Sequence, residues 1–515
     1  TNLLFVSCNC FFFEETILLQ STKFKDLIAK YADVRKVTPS LLQKVGFKGN
    51  ILIYPDQFTS EIESLDIDKG RISGKIAYRK TDKLPIVTAK LNVSGLDFDA
   101  YTGYKQPKEA QDITKSVVLI KDYFQDASLL KKFNGQVELM LNNIRFHMLP
   151  IGKGRLLGTM DDGTLKIEEL TTQEMANASL RGKGTFIGVG TDNVIISDMN
   201  LVFGTSELGL FMRKANLKSE NEFIKSVKSF ETDLTLSEEN NLWIMAMKNK
   251  MADLEISVNG SIDSTKDEPV YKDLNVMLTY PNFRRFVTNI VKMPNMNTTL
   301  SGLLKLNVVL NGTPKTIQFS KGTVQIGQNQ LNINGSYSMA DNGLLDMRIT
   351  TPSFDVRKFI WNDLKNFTFT GMDAKKHFNL KEMSKLNQHI VLETNQLLYR
   401  DAELKNAKVD LSLQNQTLTI NELSGILNDE TSLLTAKGTF SWDNNIPKLT
   451  GMVFAKNLSL DNNLITLKNM SLGDGTLSFD SELSLSGKSP YEMLKTLSGK
   501  GKYQIRDLMW IGTNI

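Results

Sequence analysis

Val409-Asp410-Leu411-Ser412-Leu413 and, beyond Gln414-Asn415-Gln416, Thr417-Leu418-Thr419-Ile420 place an apolar side chain at every second position on both sides of Asn415-Gln416. A period of two belongs to a strand with one face in the core and one in water, so the stretch predicts a hairpin. The pattern recurs outward along the chain. Val137 and Leu139 carry it in 136–141, Val324 and Ile326 in 323–326, Leu331 and Ile333 in 330–334, and Leu477, Phe479, Leu483 and Leu485 near the end. Asp162-Gly163, Asp341-Asn342-Gly343 and Gly473-Asp474-Gly475 separate such runs and supply residues that turn with positive φ at low cost. The expected fold class is mainly β: an elongated, repetitive antiparallel sheet with a few short helices.

Helical spacing is the exception. Phe24, Leu27, Ile28 and Tyr31 form one apolar stripe, and Ile113, Val117, Ile120 and Phe124 form a second. Near the end, Ser489 reads as an N-cap, Pro490 as the first helical residue, Met493, Leu494 and Leu497 as one face, and Gly499 as the stop.

Two units recur. A strand leads into Pro281-Asn282-Phe283-Arg284-Arg285-Phe286, and another into Pro352-Ser353-Phe354-Asp355-Val356-Arg357-Lys358-Phe359, with the prolines 71 positions apart. Looser versions end at Leu96-Asp97-Phe98-Asp99 and Leu458-Ser459-Leu460-Asp461. A glycine-led strand repeats at Gly182-Lys183-Gly184-Thr185-Phe186, Gly335-Ser336-Tyr337 and Gly438-Thr439-Phe440. At ~150 residues per domain, 515 residues would make three or four compact domains. The repeats point instead to one extended β architecture.

Composition removes several classes of function. Sixty-one basic residues against 57 acidic ones leave a net charge of +4, without the basic field that nucleic-acid binding needs. Only Cys8 and Cys10, and only His147, His377 and His389, are present, so disulfide frameworks, histidine metal sites and most acid–base dyads have little to draw on. The apolar run 3–13 is short of the ~20 residues of a spanning helix and reads as a buried strand or the remnant of a leader or anchor. The first residue, Thr1, and the unbroken end at Ile515 suggest a piece of a longer product.

Catalytic motifs fail on spacing. Gly487-Lys488-Ser489 has Glu482 where a phosphate loop needs its first glycine, and is followed by Pro490. Gly152-Lys153-Gly154 and Gly182-Lys183-Gly184 meet their next glycine, Gly158 or Gly188, one residue too late for a dinucleotide fingerprint. Asp161-Asp162 and Glu168-Glu169 lack a spaced ligand set, and no histidine has a serine or cysteine partner in a recognisable motif. The sequence therefore names no catalytic residue, no metal and no cofactor.

The carboxyl segment carries a resemblance. Leu483-Ser484-Leu485-Ser486-Gly487-Lys488-Ser489-Pro490, then Met493-Leu494, Leu497-Ser498-Gly499-Lys500-Gly501 and Tyr503-Gln504-Ile505 resemble the terminal signature of the AsmA-like proteins of Gram-negative envelopes, which include TamB and YhdP. The strand pairs at Leu331-Asn332-Ile333 with Gly335-Ser336-Tyr337, and at 418–423 with 438–442, are similar to that family's repeats. Asp507-Leu508 departs from the family's Asp-Gly, and its amino-terminal membrane helix is missing or degraded.

The resemblance implies a hydrophobic β groove, anchored in the inner membrane and extending through the periplasm. It would move phospholipids for outer-membrane biogenesis without chemistry, with an outer-membrane partner at its far end. On that reading 1–45 is a leader or anchor remnant and helix, 46–350 a β groove with a helical insertion near 112–133, 351–482 its continuation and 483–515 the terminal signature. Val137, Leu139, Val324, Ile326, Leu331, Ile333, Leu411, Leu413, Leu418, Ile420, Leu477 and Phe479 would line the groove, with Arg284, Arg285 and Arg357 at a headgroup rim. A structural β-repeat protein, such as an adhesin or autotransporter passenger, is the alternative. Its apolar faces would pack on one another and leave no open surface.

Overall fold

The computed structural model describes residues 15–21, 45–102, 111–112, 130–146, 149–219, 224–225, 227–263, 268–291, 300–339, 343–358, 375, 377–378, 380, 387–399, 402–427, 431–442, 446–459 and 474–509. The chain divides into two compact units, Thr1–Ile262 and Asp263–Ile515. Each is built mainly of antiparallel strands joined in sequence order, with short helices at strand ends.

In the first unit Glu15–Ser21, Val45–Ile53, Gln57–Ile67, Gly70–Arg79 and Ile86–Ser94 pair in succession as an antiparallel meander. Ile86–Ser94 then pairs in parallel with Asn134–Phe146. A second meander follows through Leu149–Asp161, Thr164–Met175, Ala178–Ile187, Ile195–Thr205, Phe230–Glu239 and Leu242–Met251.

The second unit has the same plan. Val270–Tyr280, Leu304–Gly312, Thr316–Ile326, Asn329–Ser338 and Leu344–Asp355 are antiparallel, and Leu344–Asp355 is parallel to Gln388–Tyr399. Ala402–Gln414, Thr417–Leu427, Leu433–Ser441, Lys448–Ser459, Asp474–Ser486 and Ser498–Met509 complete it. Among the described residues five strands, one parallel step and seven strands are thus common to both units. The first unit also holds Leu254–Asp263 as far as Ile262, and a small parallel pair, Gln111–Asp112 with Leu217–Lys218.

Local chemistry fixes the joints. Asn415 and Gln416 both have positive φ, 48° and 61°, the requirement of a two-residue turn whose twist matches its strands. Asn240 and Asn241, at 50° and 63°, make the same turn in the first unit. The recurring Leu96, Pro281 and Pro352 units lead into Phe98–Thr102, Phe283–Arg285 and Val356–Lys358, three short helical turns that each open a long connection. Parallel pairing cannot be closed by a tight turn, so the first and third of these units mark the two crossovers.

In the first unit apolar clusters form near both ends of the strands. Val93, Leu96, Ile144, Ile151, Met175 and Ala178 form one, and Met160, Phe186, Val189, Ile196 and Met199 the other. In the second unit Leu404, Ala407, Leu427, Ala455 and Leu458 pack together.

The helix near the end runs Pro490–Lys495, with Ser489 as its N-cap: the Ser489 side chain accepts the Glu492 N–H. Its expected apolar face is corrected. Met493 is buried, but Leu494 and Leu497 are 42% and 46% exposed, because a helix this short covers the sheet with one turn only. Gly499 does not stop it; Thr496 is the C-cap, and Gly499 sits inside the next strand. The 3–13 run, both amino-terminal apolar stripes, His147 and Phe359 lie outside the described residues.

Candidate functional site

Strand register converts the alternation into rows of side chains that share one face. In the second unit one row runs Met347, Ile390, Leu411, Ile420, Gly438, Gly451, Leu483 and Gly499. The next runs Ile333, Ile349, Leu392, Val409, Leu423, Ala436 and Val453. In the first unit Ile76, Ala89, Val137 and Gly158 form one row, and Gly74, Leu91, Leu139 and Leu156 another. The opposite face is mainly polar, with exposed Met140, Met452 and Phe454 among its charged and hydroxyl side chains.

Among the described elements, the substantial contacts are between neighbouring strands and between strand ends and short helices. No second sheet packs on either apolar face among them. Ten of the twelve residues expected to line a groove, Val137, Leu139, Val324, Leu331, Ile333, Leu411, Leu418, Ile420, Leu477 and Phe479, are half-buried on these faces. Ile326 and Leu413 are different, each only 3% exposed. Both lie toward strand ends, where aromatic caps close the face.

At one end Tyr280, Leu304 and Ile326 share a row, and Phe286 packs its ring against Tyr280 with centroids 5.6 Å apart. Phe286 opens a wide π-type turn, Phe286–Val291, in which Val287 is buried. At the opposite strand ends Leu413, Leu418 and Phe440 share a row, and Phe440 lies between Phe378 and Trp442 with centroids 5.8 and 5.5 Å away. The face is therefore capped at its margins and half-exposed between them.

The three rim arginines divide. Arg357 is held by Asp355, its Nε and Nη2 lying 2.8 and 2.9 Å from the two carboxylate oxygens, and this contact holds the Asp355 carboxyl below its ordinary range. Arg284 and Arg285 are exposed on the short cap helix and form no ion pair among the described residues.

The polar face carries a feature that periodicity missed, a charge ladder across each parallel step. Lys90, Glu138, Arg155 and Glu169 link four strands, with Lys90 and Arg155 3.1 and 3.0 Å from Glu138 and Arg155 also bonded to Glu169. Hydrogen bonds from Lys90 and Arg155 hold the Glu138 carboxyl below its usual range.

In the second unit His389 bridges three strands, Nδ1 3.3 Å from Asp346 and Nε2 3.0 Å from Asp410. Burial pulls the His389 pKa down, but the hydrogen bonds and charges of the two aspartates outweigh it and the net direction is upward. Beside it Arg348 pairs with Glu393 at 2.7 Å and Lys408 with Glu422 at 2.6 Å. The imidazole between two carboxylates clasps three strands, with Ser412 its register partner on one side and Asn421 donating to both Asp410 and Ser412 at 2.8 Å. Among the described residues no group of three His, Cys, Asp or Glu is placed to hold a metal, and no helix is long and apolar enough to cross a membrane.

No family model, curated protein or solved structure matches this chain.

Sequence reasoning also missed the bulges. Lys272-Asp273-Leu274, Lys405-Asn406-Ala407, Lys456-Asn457-Leu458 and Arg506-Asp507-Leu508 share a pattern, and Asp273, Asn406, Asn457 and Asp507 have φ of 48°, 49°, 56° and 51°. Register shifts accompany all four. A basic residue, then Asn or Asp, then an apolar residue was the available signal. The extra residue bends and twists the strand locally.

Proposed function

We propose that this chain is a non-enzymatic lipid-transfer protein of the AsmA-like type, binding phospholipid acyl chains along the apolar faces of its sheets. The observation that carries the reading is the second unit's apolar face: a row from Met347 through Ile390 and Leu411 to Ile420, and beside it one from Ile333 to Val453, mostly half-buried, capped at the strand ends and not covered by a second layer among the described residues. An apolar surface of this extent is unusual on a protein that binds nothing. Acyl chains suit it chemically, because each methylene moved out of water contributes ~0.8 kcal/mol and no directional partner is needed. The Ser489-capped helix between two strands agrees with the terminal signature on which the family resemblance rests.

The proposed setting is the periplasm, with attachment to the inner membrane and delivery toward outer-membrane biogenesis. The rival structural β-repeat reading needs apolar faces packed against one another, and half-exposed rows speak against it. The deciding experiment is native mass spectrometry of the full chain purified without detergent, followed by lipid extraction. Phospholipid at one or more molecules per chain is the expected outcome. A lipid-free protein that also acquires none from vesicles would end this reading.

A further inference from the structure

We infer that the cap helix Phe283–Arg285 is a headgroup station selecting net-anionic phospholipids through Arg284 and Arg285; the inference rests on the lipid reading above and names its substrate class. Four observations carry it. The cap is fixed in place: Asn282 Oδ1 accepts the Arg285 N–H at 3.1 Å, the Phe283 N–H donates to the Gly302 carbonyl at 2.9 Å, and Val287 is 4% exposed. It is joined to the apolar face, since Phe286 meets Tyr280 edge to face, and Tyr280 shares a row with Leu304 and Ile326. It presents two adjacent exposed guanidinium groups without a carboxylate among the described residues. Finally, the contrast within the same unit is sharp, because Arg348 and Arg357 are each neutralised, by Glu393 and Asp355.

A phosphodiester fits this arrangement. Guanidinium groups bind phosphate oxygens through fixed pairs of N–H donors, and the attached acyl chains would lie on the half-buried row next to the closed one, Leu278, Leu306, Val324 and Leu331. A headgroup with net negative charge gains from both arginines, whereas a choline or ethanolamine ammonium cancels much of that gain. Two exposed charge contacts correspond to a preference of roughly three- to tenfold.

The test uses the full chain incubated with vesicles of equal parts phosphatidylcholine and phosphatidylglycerol, then re-isolated and extracted. Wild-type protein is expected to hold phosphatidylglycerol in roughly three- to tenfold excess over phosphatidylcholine, with the excess shrinking as salt is raised. Arg284→Gln with Arg285→Gln should bring the ratio close to one while total lipid stays unchanged. Arg357→Gln should behave as wild type, because that side chain is already committed to Asp355. An excess that survives the double substitution, that Arg357→Gln removes equally, or that is absent from wild type overturns the headgroup station and leaves the groove standing. Failure of every protein to take up either lipid removes the groove reading as well.

Discussion

His389 shows how one residue joins the two meanders of the second unit. Asp346 and His389 are register partners across the parallel step, and Asp410 approaches from the strand beyond. Both ring nitrogens face carboxylates, an arrangement only the imidazolium satisfies fully by donating twice. The folded state therefore holds the proton more tightly than the unfolded chain, whose histidine titrates near ~6.5. The stabilisation is complete below that value and is lost as pH rises through the higher folded value. Asp410 has the opposite sign: burial raises its pKa, but hydrogen bonds from Asn421 and His389 outweigh that and lower it. Its contribution is present above ~3.9 and lost in acid. His389→Gln should accordingly cost ~0.5–1 kcal/mol near pH ~6 and almost nothing near pH ~9. Urea unfolding of wild type and variant across that range checks it, and a gap that is constant or widens with pH would refute the clasp.

At the scale of the element, alternation was legible and curvature was not. The hairpin around Asn415-Gln416 could be read directly, because side-chain period and turn chemistry are both local. The bulges could not, since Lys405-Asn406-Ala407 interrupts the period by one residue and reads as noise until its register shift is seen. The Leu96 and Pro352 units were recognised as repeats, yet their meaning as starts of parallel crossovers depends on pairing between strands distant in sequence. Asn406 makes the bulge testable. Its left-handed backbone suits Asn or Gly and strains a residue with a bulkier or non-bonding β-carbon. Asn406→Ala should therefore destabilise by ~1 kcal/mol and Asn406→Gly should be close to neutral, measured by chemical denaturation. Equal losses from both would mean that the Asn406 side chain, and not its backbone, is what matters.

At the scale of the whole chain, mainly β architecture followed from composition and period, whereas the division after Ile262 and the shared plan of the two units did not. The shared plan was not written in any motif, because it depends on which strands pair in parallel. Of the candidate site, the sequence identified the face but not the caps: Leu411 and Leu413 look alike in an alternating run, and only the aromatic closure near the strand ends separates them. That separation yields a direct test of open face against packed core. Leu411 is half-buried in the middle of the face, so Leu411→Glu should cost only ~1 kcal/mol while greatly reducing bound phospholipid. Leu413 is 3% exposed, so Leu413→Glu should cost ~4 kcal/mol or more, through an unpaired buried charge. Thermal melts and extracted lipid measured on both variants distinguish the cases. If Leu411→Glu unfolds the protein as severely as Leu413→Glu, the middle of the face is a packed core and has no room for acyl chains.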